Sequence, residues 1–369
     1  IDISSKILLA DQKAKAELEA ANEVDPNEFE LNVQAKVQKH FRLKEVFARV
    51  EVKREDERRI KAALHAVSSY ADDTKLSLKA WHFQELSMCP ELKDHHLVMD
   101  SRYVEVRNTL FREMYALSSA QLVALCMAAM RLKISWPGFW NKVSKVMMRR
   151  ISWNKNMTHT ISRFDTATIL FAMAKGRALI RKESSFVRNV LKFMLQQSQE
   201  WSFKEMVFLT RFFRKYNMKP ENPAHIMDRK IAKVLTQVVW ALDNKLHYSE
   251  AGDLVDIFWN FSCLDLMPAR CVYKGIRHIV KNARDLDDQV LIQFCIILAR
   301  WKDQLDDKQS LRKVAKIMLD RPLEPKQVAQ IISCFAKLDL RHHALLEELC
   351  NLVAQTPVSH MTSEKSTGM

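Results

Sequence analysis

Residues 323–338, LEPKQVAQIISCFAKL, constrain this chain most, because the same arrangement recurs five times upstream. Glu324 stands where a helix N-cap belongs, Pro325 suits the first helical position, and Gln327 falls three residues past the cap. Val328, Ile331, Phe335 and Leu338 then form one apolar stripe at helical spacing. Related windows begin at Leu117 (LSSAQLVALCMAAMRL), Ile161 (ISRFDTATILFAMAKG), Trp201 (WSFKEMVFLTRFFRKY), Ser249 (SEAGDLVDIFWNFSCL) and Leu286 (LDDQVLIQFCIILARW). Their second residues are Ser118, Ser162, Ser202, Glu250 and Asp287, and their fifth are Gln121, Asp165, Glu205, Asp253 and Val290. Cap and stripe recur in phase, which a chance run of Leu-rich helices would not do.

The windows start 44, 40, 48, 37 and 37 residues apart, the period of helix-pair repeats. A second amphipathic segment follows each, at 139–151, 184–196, 223–242, 268–282, 308–319 and 342–353. One such pair cannot bury its own apolar faces, so neighbours must stack and share a core. The expected fold is therefore all-α: a right-handed α-solenoid of about six helix-pair repeats within residues 101–355. An N-terminal helical extension over 1–100 precedes it and a tail over 356–369 follows. Only five Gly and nine Pro in 369 residues agree with an almost wholly helical chain. The last second helix carries Glu347 and Glu348 where the others carry cations, as suits a terminal repeat with one polar face.

In the extension, helices are expected over 5–21, from Asp25-Pro26-Asn27-Glu28 through Phe29, Val33, Val37 and Phe41, and over about 55–70. Residues 71–100 are the least regular stretch. His82, Cys89, His95 and His96 fall there, but their spacing matches no paired zinc-ligand pattern, so loop residues and a buried thiol are expected and no metal. The first residue is Ile1, which fits removal of an initiating segment such as an organellar presequence. Trp136 and Trp140, in a WPGFW linker, and Trp153, Trp240, Trp259 and Trp301 are expected to pack between units rather than stack on bases. Cys126, Cys263, Cys295 and Cys334 lie in or beside the stripes and read as buried free thiols.

The net charge of +14 is unevenly placed. Lys plus Arg against Asp plus Glu is 16 to 19 over residues 1–100, 26 to 10 over 101–250, and 16 to 15 beyond. The excess sits in the first repeats, and such a block points to a polyanionic partner. The cations gather on the second helices. They are Lys142, Lys145, Arg149 and Arg150 in the first pair, then Arg188 and Lys192, then Arg229, Lys230 and Lys233. Arg270, Lys274, Arg277 and Lys281 follow in the fourth pair and Arg312, Lys313 and Lys316 in the fifth. Stacked side by side, such helices would offer a row of cations to a phosphate backbone.

Catalytic signatures are missing. Five scattered Gly make no phosphate-cradling loop, and neither HExxH nor GxSxG occurs. Asp287-Asp288 and Asp306-Asp307 sit at helix starts, where the helix dipole accounts for them. No enzyme activity, cofactor or small-molecule substrate is expected. No apolar run reaches the ~20 residues of a membrane span.

Windows such as PKQVAQIISCFAKL and AGDLVDIFWNFSCL resemble the heptatricopeptide and octotricopeptide repeats of organellar RNA-handling proteins, which include FAST-kinase-like and RAP-domain proteins. The resemblance covers roughly residues 117–355 and rests on pattern rather than on invariant residues. It implies an α-solenoid, a mitochondrial or plastid location and binding to organellar RNA, often within ribosomes. The fourteen residues after Gln355 do not form the RAP domain that many relatives carry. Unequal repeat lengths also speak against a one-base-per-repeat code. Two functions follow as expectations. One is a mitochondrial scaffold binding RNA, most specifically a ribosomal protein held among other proteins on rRNA. The other is a structural subunit of another mitochondrial complex, such as an ATP synthase or a respiratory complex, with protein contacts alone.

Overall fold

The computed structural model describes residues 52–69, 76–98, 100–134, 136–152, 161–196, 201–305, 307–321, 323–338, 346–347 and 350–351. The helices expected over 5–21 and from Asp25, the acidic segment over 342–353 and the tail lie wholly or mostly outside the described residues, as does Trp153. Every described element is helical, fifteen α-helices and two 3-10 turns. The chain divides into two compact units: residues up to Glu113 with Arg131–Ile134, and Met114–Met130 with the residues from Ser135 onward.

The first unit holds α1 (Arg54–Ser69), α2 (Leu76–Leu86), the short α3 (Asp94–Leu97) and α4 (Ser101–Arg112). Helices α1, α2 and α4 pack on one another around Ile60, Leu64, Phe83, Leu86 and Leu110, with Tyr103 stacked 5.7 Å from Phe83. Residues 76–98 are thus more regular than the sequence indicated. Helix α2 escapes a periodicity test because its buried face, Ala80, His82, Phe83 and Leu86, includes a histidine.

In the second unit, six helices repeat a single design: α5 (Ser119–Arg131), α7 (Arg163–Lys175), α9 (Phe203–Lys215), α11 (Ala251–Cys263), α13 (Asp288–Arg300) and α15 (Pro325–Lys337). Each has thirteen residues, about 20 Å of helix. All six begin one residue after the expected cap. Ser162 and Asp165 form a reciprocal capping box, as do Ser202 and Glu205. Ser118 Oγ accepts from Gln121 N at 3.2 Å while Gln121 Oε1 accepts from Ser118 N at 2.7 Å. The stripe positions fill the core: Val328, Ile331, Phe335 and Leu338 are all buried, and so are Leu254, Ile257, Phe261 and Leu264 two repeats earlier.

Four of the first helices, α5, α7, α9 and α11, also stop alike. Lys133, Arg177, Asn217 and Asp265 each lie two residues past a helix end with φ of 56°, 59°, 47° and 54°, 44, 40 and 48 residues apart. A left-handed residue there turns the chain out of the helix and lets the next amide reach back. Ala178, Met218 and Leu266 do so, donating to the carbonyls of Met173, Phe213 and Phe261 at 2.9–3.0 Å. The stop also serves the following repeat. Tyr216 Oη donates to the Ala178 carbonyl at 2.8 Å, and Trp301 Nε1, at the same place in its own repeat, donates to the Leu266 carbonyl at 3.1 Å.

Between them run the second helices: α6 (Pro137–Ser152), α8 (Ser185–Gln196), α10 (Ile226–Lys245), α12 (Val272–Lys281) and α14 (Lys308–Leu319). WPGFW is not a free linker, because α6 begins at its Pro137. Helices α7, α9, α11, α13 and α15 pack in that order, each on the next; α8 packs on α6 and α10, and α14 on α12. Helix α12 also packs on the 3-10 turn Leu246–Tyr248 that ends α10. Two glycines admit bulky neighbours. A Cβ at Gly176 would lie 2.1 Å from the ring of buried Trp140, and one at Gly275 would lie 2.4 Å from Phe258.

Candidate nucleic-acid interface

The sixteen cations picked out by the sequence do not all face solvent. Arg150 is buried, and its guanidinium donates to the Leu117 carbonyl and to Ser119 Oγ, bracing the start of α5. Burial lowers its pKa. It belongs to the scaffold and not to a binding face. Lys142 and Arg149 lie 5.4 and 4.4 Å from the Tyr115 ring centre, so Arg149 is exposed yet anchored.

Exposed cation pairs at i,i+4 recur on the five described second helices: Lys145 and Arg149, Arg188 and Lys192, Arg229 and Lys233, Arg277 and Lys281, Arg312 and Lys316. Like charges so spaced destabilise a helix by about 0.2–0.5 kcal/mol per pair. The chain carries such a pair five times, on helices of which α6, α8 and α10 pack in succession and α12 packs on α14. Among the described residues, no carboxylate lies within ion-pair distance of any of these ten, nor of Lys230 or Lys313.

Helix α12 differs. Arg270 Nε and Lys274 Nζ meet Asp243 of α10 at 2.6 and 2.9 Å, and the Arg270 guanidinium lies 3.5 Å from the Trp240 ring centre. Hydrogen bonds from Arg270 and then Lys274 hold the Asp243 carboxyl below the usual carboxylate range. Trp240, expected in the core, is half exposed and serves as a platform for Arg270. Trp301 is buried as expected, and Trp259 carries Arg300 at 4.7 Å.

A second basic site is not apparent from the sequence. Between the ends of α7 and α9 lies a cavity of about 190 Å³ lined by Lys175, Arg177, Arg211, Arg214 and Lys215, with Phe171 among its walls. Arg211 pairs with Asp256 of α11 and lies 5.5 Å from the Phe171 ring centre. Compared with protein-family models and with curated proteins, the chain matches none.

Of the residues raised as metal ligands, His95 and His96 lie with rings 4.0 Å apart, and Cys89 Sγ donates to Glu91 at 3.1 Å. His82 is buried, and desolvation lowers its pKa. Among the described residues, no group of three or more His, Cys, Asp or Glu could hold a metal ion, and no helix is long and apolar enough to cross a membrane. All seven cysteines are free. Cys126, Cys295 and Cys334 are buried as expected, Cys263 only partly. Burial raises the thiol pKa values of Cys126, Cys295 and Cys334, that of Cys334 to about 11.

Proposed function

We propose that this chain is a non-catalytic, RNA-binding α-solenoid, a mitochondrial scaffold seated on the rRNA backbone among other proteins of the ribosome. One observation carries the reading: the exposed, repeated i,i+4 cation pairs of the second helices, which have no carboxylate partner among the described residues. Their mutual repulsion is relieved by a polyanion with regularly spaced charges, and phosphates repeat along an RNA strand. The in-order packing of α7, α9, α11, α13 and α15 supports the solenoid. Nothing about the cations reads bases, so contact to the backbone is expected whatever the sequence.

The protein-spacer reading is favoured at α12, where Asp243 already satisfies Arg270 and Lys274 and leaves Tyr273 and Tyr248 exposed. The two readings separate in a salt titration of single-stranded RNA binding. Arg188→Gln with Lys192→Gln should flatten the dependence of log affinity on log salt by about 1.4, at about 0.7 for each phosphate no longer neutralised. Arg270→Gln with Lys274→Gln should change it little. Equal slopes and affinities for wild type and the α8 variant would remove the RNA reading. Co-sedimentation with ribosomal particles that RNase abolishes would bear on the rRNA assignment.

A further inference from the structure

We propose that the cavity between α7 and α9 seats a phosphate group; on the RNA-binding reading above, on which the choice of carrier rests, that group belongs to a single-stranded RNA. Five cations converge there from two helix ends. Arg211 has the Asp256 carboxylate, but among the described residues Lys175, Arg177, Arg214 and Lys215 have no ion-pair partner. Four unneutralised cations around one concavity repel one another, and an anion between them reverses the sign of every interaction.

Helix dipoles do not account for this crowd. A cation in the last turn complements the helix C-terminus, and α5, α13 and α15 each have one while α11 has none. Among the first helices, α9 alone has two, Arg214 and Lys215. Arg211 stands before that last turn, and Arg177 lies beyond the end of α7, fixed in the left-handed stop. The cluster is therefore particular to this pair of repeats. A volume of about 190 Å³ equals about six waters at ~30 Å³ each. That admits a five-heavy-atom phosphate with part of its hydration. The Phe171 wall excludes water from one side, which strengthens the attraction.

The test uses the full chain and the variant Arg177→Gln/Arg214→Gln, with Arg211 left in its Asp256 pair. Removing two cations that neutralise phosphates of a single-stranded RNA should flatten the salt slope by about 1.4, so that the variant binds about 25-fold more weakly at 0.1 M salt and equally near 1 M. Oligo-U and oligo-A should behave alike. Separately, inorganic pyrophosphate at fixed ionic strength should raise the Tm of the wild type and not of the variant. If the variant keeps the wild-type slope and pyrophosphate response, the site is refuted while RNA binding through the second helices stands. If wild type binds no RNA yet only wild type responds to pyrophosphate, the phosphate seat stands and the RNA carrier falls.

Discussion

Gly275 lies inside α12, where alanine is ordinarily better than glycine by about 1 kcal/mol. Here the missing methyl makes room for Phe258, whose ring would stand 2.4 Å from a Cβ. Both residues are buried, so the clash must be relieved by moving an aromatic ring in a packed core, at about 1–3 kcal/mol. Gly275→Ala is therefore expected to lower stability despite its helix propensity, and Phe258→Leu should restore part of the loss in the double variant. Urea denaturation of the three variants measures this, and a stabilised Gly275→Ala would contradict the packing described. The buried pair of Arg163 and Glu205, 2.9 Å apart, is a similar case of chemistry that only the fold makes visible. Its partners are 42 residues apart, one at the start of each of two successive first helices, with Trp201 4.4 Å from the guanidinium. Arg150 gives the opposite lesson. Its place in a basic run gives it the look of a surface cation, yet it is spent on the Leu117 carbonyl.

At the level of the element, starts were legible and stops were not. Helix starts are written in short-range chemistry, an Oγ or carboxylate three residues from an amide at Ser162, Ser202 and Asp287. All six first helices begin at the expected position even where, as at Glu250, the side chain makes no cap bond. The stops rest on a left-handed residue, for which glycine or asparagine is the usual signal. Lys133 and Arg177 give no such signal, and holding a lysine there costs about 1 kcal/mol. Lys133→Gly should therefore stabilise the protein by about that amount. Lys302→Gly, at the corresponding place after α13 but without a positive φ, should not. Thermal denaturation of the pair decides, and equal effects would count against the strained stop. Second-helix boundaries were blurred for a different reason. Helix α10 starts at Ile226, after Pro223, because the Asp228 carboxylate accepts from the amides of Glu221 and Asn222 and holds those residues in a turn. The α7–α9 cavity was hidden because a lysine or arginine in a last turn is expected of any helix. Only the convergence of two ends sets these apart.

For the whole second unit, stability should be close to a sum of each repeat and its contacts with the next. Phe335, buried in α15, which packs on α13, tests this. Phe335→Ala should cost about 3–5 kcal/mol and should speed amide exchange in α15 and α13 while leaving α7 near its wild-type rate. Uniform loosening through α7 would mean that the repeats unfold as one block. The thirteen-residue length common to all six first helices has a consequence for how such a chain tolerates insertions and deletions. One residue added inside a first helix turns every later side chain in it by about 100°. That would carry the stripe off the core and the stop out of reach of its acceptor carbonyl. The second helices run from ten to twenty residues, so the spacing of 37 to 48 residues between repeats is absorbed there and in the turns. Length variation should accordingly collect in the layer that bears the cation pairs, free to reposition charge, while the first helices keep a fixed gauge.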